Sequence, residues 1–178
     1  MTHNTLYVGV DPGKNGAVAV IWPDCEVTLY DLTGNPHDDA SIFLAIMAAN
    51  PHHVFAKNST VWHVCIERAT AMPSDDDPAT GKRRGMGATS AYNFGKVCGQ
   101  LEGALAALQI PYTLVSPTKW RNAMFDSGGK GLTQKERKAA SRALAMRLYP
   151  QVADQLKRVK DADRAEALLI ARYLSRSL

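Results

Sequence analysis

The chain opens with an apolar run that ends in a carboxylate. Thr5-Leu6-Tyr7-Val8-Gly9-Val10-Asp11 reads as a β-strand, and Pro12-Gly13-Lys14-Asn15-Gly16 reads as a turn. Ala17 to Trp22 returns as a second strand, and Val27 to Leu32, beyond Pro23-Asp24, follows as a third. Together they predict a three-stranded antiparallel meander. Strand alternation puts Asp11 on one face with Tyr7 and Gly9, opposite Leu6, Val8 and Val10. A carboxylate at the end of such a strand is costly unless it is paired, hydrogen-bonded or bound to a metal. Asp-Pro-Gly also starts many turns, so Asp11 alone leaves both explanations open.

Beyond the meander, Asp39 to Ala49 reads as a helix with Ile42, Ala45, Ile46 and Ala49 on its apolar stripe. Thr60 to Glu67 is a β-branched and aromatic strand. Residues 69–88 combine Pro73, Pro78, three aspartates and several glycines, which predicts a long exposed loop of functional character. Ser90 to Gln109 reads as a helix carrying Phe94, Val97, Leu101, Leu105 and Leu108. Gly95, Gly99 and Gly103 form a row along it, each costing about 1 kcal/mol of helix propensity. Such a row suits close approach of another backbone, either the chain's own sheet or a second subunit. Pro111 to Val115 is a further strand. Thr133 to Leu148 is a basic amphipathic helix opened by a Thr133/Glu136 capping box, and the last helix runs from about Asp163 to Leu174. The sum is one α/β domain over residues 1–178, a mixed sheet of three antiparallel strands plus parallel strands, flanked by helices.

Composition narrows the function classes. With 178 residues, 46% hydrophobic and 21% charged, the chain can bury a core and is not of the disordered type. No apolar run reaches the roughly 18–20 residues that cross a bilayer. The N-terminus lacks the pattern of a signal peptide, so a cytoplasmic location with no membrane partner is expected. Cys25, Cys65 and Cys98 show no metal-binding spacing and are expected as small buried hydrophobes. A net charge of +4 is modest, but the bases are clustered: Lys82-Arg83-Arg84, then Lys119 and Arg121, then Lys130, Lys135, Arg137, Lys138 and Arg142. Basic patches beside acids in apolar segments suit a polyanion held over a metal.

Two further acidic elements join Asp11. Glu67 ends an apolar strand, where a simple strand-end charge beside Arg68 is the plain alternative. In Asp161-Ala162-Asp163-Arg164-Ala165-Glu166, Asp163 and Glu166 share a helix face, a spacing that a helix-capping box would also produce. Taken together, three acidic elements on the first strand, a central strand and the last helix can converge on one sheet edge. That oxygen-rich set suits Mg²⁺, with Mn²⁺ as a substitute, better than zinc. Two such ions about 4 Å apart can activate water and stabilise the leaving oxygen of a phosphodiester.

At this point the motifs become specific. Val-Gly-Val-Asp-Pro-Gly, Ile-Glu-Arg and Arg-Ala-Glu-Ala-Leu-Leu-Ile-Ala resemble the RuvC family of Holliday-junction resolvases, in its phage or prophage branch. The resemblance extends over nearly the whole chain, including Ser116-Pro117-Thr118-Lys119 and Gly131 to Glu136. It implies an RNase H-like fold, a homodimer, and paired symmetric cuts in four-way DNA junctions. Asp11, Glu67, Asp163 and Glu166 then stand at the positions of the catalytic, metal-holding acids. The family's last pair is Asp-x-x-Asp, so Glu166 departs from it by one methylene. Asp161 is a rival to Asp163, but lies about 140° around a regular helix from Glu166.

Lys119, Arg121, Lys130, Lys135 and Lys138 are candidates for phosphate contacts. In the resembled family the loop after the second acid reaches the junction centre, which makes Lys82, Arg83, Arg84 and Met86 further DNA-binding candidates, with Met72 or Met86 as a wedge between bases. Trp120 reads as a core residue. The competing readings are an RNase H-like nuclease for flaps, forks or RNA–DNA hybrids, and a catalytically silent junction-binding module. An actin-like ATPase is excluded by the chain's length and the lack of a GxxxxGK[ST] loop.

Overall fold

In the computed structural model the described residues are 5–13, 15–49, 60–68, 87–125 and 131–177, together with the backbone of 75–76 and 83–84. The strands are β1 (Thr5–Asp11), β2 (Ala17–Ile21), β3 (Val27–Asp31), β4 (Val61–Glu67), a short pair β5 (Asp75–Asp76) and β6 (Arg83–Arg84), and β7 (Tyr112–Val115). The helices are α1 (Pro36–Ala49), α2 (Ala88–Ala107), α3 (Pro117–Met124), α4 (Gln134–Leu148) and α5 (Ala162–Ser177), with 3-10 turns at Pro150–Leu156 and Val159–Asp161. Five strands form one mixed sheet in the order β3-β2-β1-β4-β7. β1–β2 and β2–β3 are antiparallel, as the meander requires, while β4 runs parallel to both β1 and β7.

The pleat of β1 sorts two cores. Leu6, Val8 and Val10 point to one face, where Phe43 and Ile46 of α1 and Leu101 and Leu105 of α2 cover them. The opposite face is covered by α5, whose run Ala165 to Ala171 is almost wholly buried. Gly9 is what allows that approach. A Cβ on Gly9 would lie 2.1 Å from the Ala167 carbonyl oxygen and 2.4 Å from the Ala171 nitrogen. The backbone of α5 therefore rests directly on β1. A staple at the sheet's outer strand holds the start of α5, where the Arg164 guanidinium grips the Asp31 carboxylate with two 2.5 Å hydrogen bonds.

The structure departs from the sequence expectations at several elements. α1 starts at Pro36, earlier than Asp39, because Asn35 accepts from the His37 N–H and a proline suits the first helical position. Its buried stripe is Asp39, Phe43 and Ile46, while Ala45 and Ala49 are exposed. Asp39 turns inward, where its carboxylate accepts from the Thr33 and Gly34 N–H groups at 2.8 and 3.2 Å. α2 ends two residues before Gln109. Gln109 takes a left-handed φ of 55°, and the Gln109 and Ile110 N–H groups bond back to Ala106 and Leu105 in a Schellman stop.

α3 went unread in the sequence. It is capped by Ser116, whose hydroxyl accepts from the Lys119 N–H, with Pro117 in the first turn. Gly95, Gly99 and Gly103 are exposed, and among the described residues nothing lies within 4 Å of where a Cβ would stand on them, so the row faces away from the chain's own sheet. Cys65 and Cys98 are buried as expected. Cys25 is exposed instead, in the β2–β3 turn with φ 69°. Among the described residues, no helix is long and apolar enough to cross a membrane.

Candidate metal centre

The parallel pairing of β1 and β4 decides where the first two acids emerge. Val10 stands beside Ile66, so Asp11 and Glu67 leave the sheet at the same edge, one strand apart. α5 crosses that edge from the other side, and its first turns bring Asp163 and Glu166 to the same place. Carboxylate oxygens of Asp11, Asp163 and Glu166 all lie within 4.8 Å of one another. Glu67 joins them in lining an open cavity of about 540 Å³.

Neighbouring side chains hold each acid differently. The buried Trp120 donates its indole N–H to Glu67 Oε2 at 2.5 Å. The Arg121 guanidinium stands between two acids, 3.6 Å from Glu67 and 3.7 Å from Glu166, with its own group over the Trp120 ring. Ser141, on α4, donates its buried hydroxyl to Glu166 Oε1 at 3.1 Å. Lys138, one turn earlier on α4, donates to Asp163 Oδ1 at 2.6 Å. Among the described residues, four carboxylates thus line the cavity with three cations, Arg121, Arg137 and Lys138, which leaves one negative charge unbalanced when all are ionised.

That excess shows in the proton affinities. Burial, followed by the charges of Glu166, Glu67 and Asp163, pushes the Asp11 carboxyl well above the usual carboxylate range, and Lys138 offsets only part of it. Burial also raises the Glu67 carboxyl, against the Trp120 hydrogen bond and the Arg121 charge. Burial acts to lower Lys138, but its hydrogen bond to Asp163 and the surrounding acids outweigh this and raise it overall.

The donor set is therefore all oxygen, crowded and short of positive charge. A hard divalent cation fits it, because the cation would offset the excess negative charge and accept several carboxylate oxygens at once. Among the described residues the cluster is made of carboxylates and includes no His or Cys, a donor set of the kind hard cations take and not of the kind typical of zinc.

Asp163 and Asp161 separate clearly. Asp161 turns away to cap the last 3-10 turn, accepting from the Arg158 N–H at 2.8 Å and pairing with the Arg158 guanidinium at 2.9 Å. Asp161 thus serves the 3-10 turn that precedes α5, while Asp163 and Glu166 face the cavity.

Of the basic candidates, Arg121 and Lys138 sit inside the acidic group as its counterions. Lys119 on α3 and Lys135 on α4 are exposed. Arg83 and Arg84 lie in β6, whose backbone pairs with β5 so that Asp75 stands beside Arg84 and Asp76 beside Arg83. Lys82, Met86, Met72 and Lys130 lie outside the described residues. Sequence reasoning missed Ser141 and the contact from Trp120 to Glu67. A buried indole usually finds an acceptor, but nothing in the spacing says which one.

No family model and no curated protein sequence matches this chain. Among solved structures it is similar to Thermus thermophilus RuvC in complex with a Holliday junction substrate, with a TM-score of 0.53 and 13% identity, covering 97% of this chain and 96% of that one. A further Thermus thermophilus RuvC structure gives a TM-score of 0.50 at the same identity and coverage. At that identity the likeness establishes the fold, which is the RuvC-type, RNase H-like α/β fold.

Proposed function

We propose that this chain is a divalent-cation-dependent endonuclease that resolves four-way DNA junctions. The observation that carries the reading is the cluster of Asp11, Asp163 and Glu166, with Glu67 beside it, opening into a cavity at the strand ends of an RNase H-like sheet. The sequence motifs around these acids resemble those of junction resolvases of the phage or prophage branch, and the similar solved structure was determined with a Holliday junction substrate.

In this reading Asp11, Glu67, Asp163 and Glu166 hold Mg²⁺, or Mn²⁺ in its place. When bound, such ions supply an activated water and stabilise the leaving oxygen of the phosphodiester. The chain's own cations do a second task. Arg121 and Lys138 already stand among the carboxylates, where they would hold the scissile phosphate against an otherwise repulsive acidic wall. Lys119 and Lys135, exposed on α3 and α4, would grip flanking phosphates without reading sequence. The segment after β4, with Lys82, Arg83, Arg84 and Met86, would approach the junction centre. A homodimer, as the resemblance implies, would present two such sites and make paired cuts, in the cytoplasm of a bacterial or phage-infected cell.

The test is cleavage of an end-labelled four-way junction beside linear duplex, flap and RNA–DNA hybrid, with Mg²⁺ and with EDTA. Paired symmetric nicks confined to the junction and lost in EDTA are expected. Equal cutting of flaps or hybrids would retire the junction specificity. Tight junction binding without any cutting would replace the enzyme with a binding module.

A further inference from the structure

Trp120 is the largest fully buried side chain, packed in the core that includes α5. A core indole is ordinarily satisfied by a backbone carbonyl or a water. Here it spends its one donor on Glu67, across from α3 to the end of β4, at 2.5 Å. The contact from Arg121 reaches the same oxygen, Oε2. One oxygen of this carboxylate is thus held from the protein side by a donor that cannot move without disturbing the core.

We infer that Trp120 is a positioning residue for Glu67: its indole N–H fixes the carboxylate at Oε2, so that Oε1 is presented to a cation in the Asp11, Asp163 and Glu166 cavity. The inference rests on the metal-centre part of the functional reading and not on the substrate. The physical basis is general. A flexible Glu side chain loses rotamer entropy on binding a cation, and a fixed donor on its second oxygen removes that cost in advance. α3 is short, and its Ser116 cap and Pro117 start set where Trp120 and Arg121 point. The helix places one neutral and one charged donor on Glu67 from adjacent positions.

The experiment is Mn²⁺ binding by titration calorimetry on the DNA-free protein, for wild type, Trp120→Phe, Glu67→Gln and the double variant. Trp120→Phe keeps an aromatic ring and removes the donor, and its Mn²⁺ affinity is expected to fall by about tenfold or more. If Trp120 acts through Glu67, the double variant will bind no more weakly than Glu67→Gln alone. Wild-type affinity in Trp120→Phe, no loss in Glu67→Gln, or full additivity in the double variant would overturn the inference.

A measurement on the unaltered core guards against a poorly folded Trp120→Phe protein. The indole N–H resonance that moves in Glu67→Gln is expected to move on Mg²⁺ titration of wild type, and a resonance that ignores Mg²⁺ would overturn the inference. A protein that binds Mn²⁺ in this pattern yet cuts no DNA would refute the nuclease reading and leave the role of Trp120 standing. A wild type that binds no Mn²⁺ would refute both.

Discussion

Gly9→Ala tests whether α5 truly rests on β1, and hence whether two of the acids are held where the metal centre needs them. The added methyl would sit 2.1 Å from the Ala167 carbonyl oxygen and 2.4 Å from the Ala171 nitrogen, where ordinary contact begins at 3.4 Å. The obstacles are backbone atoms of a buried helix, so no side chain can rotate away. α5 must retreat by about 1.3 Å, the gap between 2.1 and 3.4 Å. Overpacking of this kind costs about 1–3 kcal/mol, and the rigidity of both partners places Gly9→Ala near about 3 kcal/mol.

For a chain of this size that corresponds to a fall in melting temperature of roughly 6–12 °C. The same displacement carries Asp163 and Glu166 away from Asp11. Metal sites tolerate only about ±0.2 Å in ligand distance, and a misplacement near 1 Å commonly costs on the order of 100-fold in rate. Thermal denaturation, Mn²⁺ calorimetry and junction cleavage read these effects separately. A Gly9→Ala protein with wild-type melting temperature and wild-type Mn²⁺ affinity would refute the packing argument.

Two further outcomes follow from the site. Asp11 and Glu67 bind protons more tightly folded than unfolded, so the metal-free protein should lose stability as pH rises from the ordinary values of 3.8 and 4.5 through their raised folded values. Melting curves in EDTA from about pH 4 to about pH 8 should show that slope in wild type and a smaller one in Asp11→Asn, and saturating Mn²⁺ in place of EDTA should remove it; parallel curves for wild type and Asp11→Asn would contradict it. The acids with lowered values, Asp31 and Asp161 among them, act in the opposite sense and only at lower pH. Asp161→Ala should cost about 1–2 kcal/mol through the lost acceptor for the Arg158 N–H and the lost Arg158 pair, half-exposed as that arginine is, with Mn²⁺ affinity intact. Asp163→Asn should do the reverse, losing Mn²⁺ affinity with little loss of stability.

The sequence spoke most clearly where period and burial coincide. The alternation in β1 separates Leu6, Val8 and Val10 from the face of Asp11, and the structure covers the two faces with different helices. The mixed sheet was legible for the same reason. α1 departs from its expected apolar stripe because the polar Asp39 turns inward to accept from the Thr33 and Gly34 backbone, which no apolar count registers. α3 has eight residues, too few for a period, and announced itself only through Ser116-Pro117.

At the site, the acids stood out as charges in apolar segments, and the structure brings all four to one cavity. Their surroundings were not readable in the same way. Arg121 and Lys138 look like phosphate-binding bases in the sequence, and only the folding of α3 and α4 over α5 shows them inside the acidic group. Asp161 and Asp163 are two residues apart and separable only once the 3-10 turn and the Arg158 pair fix their directions.

The most direct test of the central claim compares wild type with Asp11→Asn on one labelled four-way junction, measuring binding by gel shift and cutting in Mg²⁺. The account predicts that Asp11→Asn binds the junction as tightly as wild type and leaves it uncut, because a cation ligand is lost while the basic surfaces remain. Wild-type cutting by Asp11→Asn would contradict the metal centre at its root.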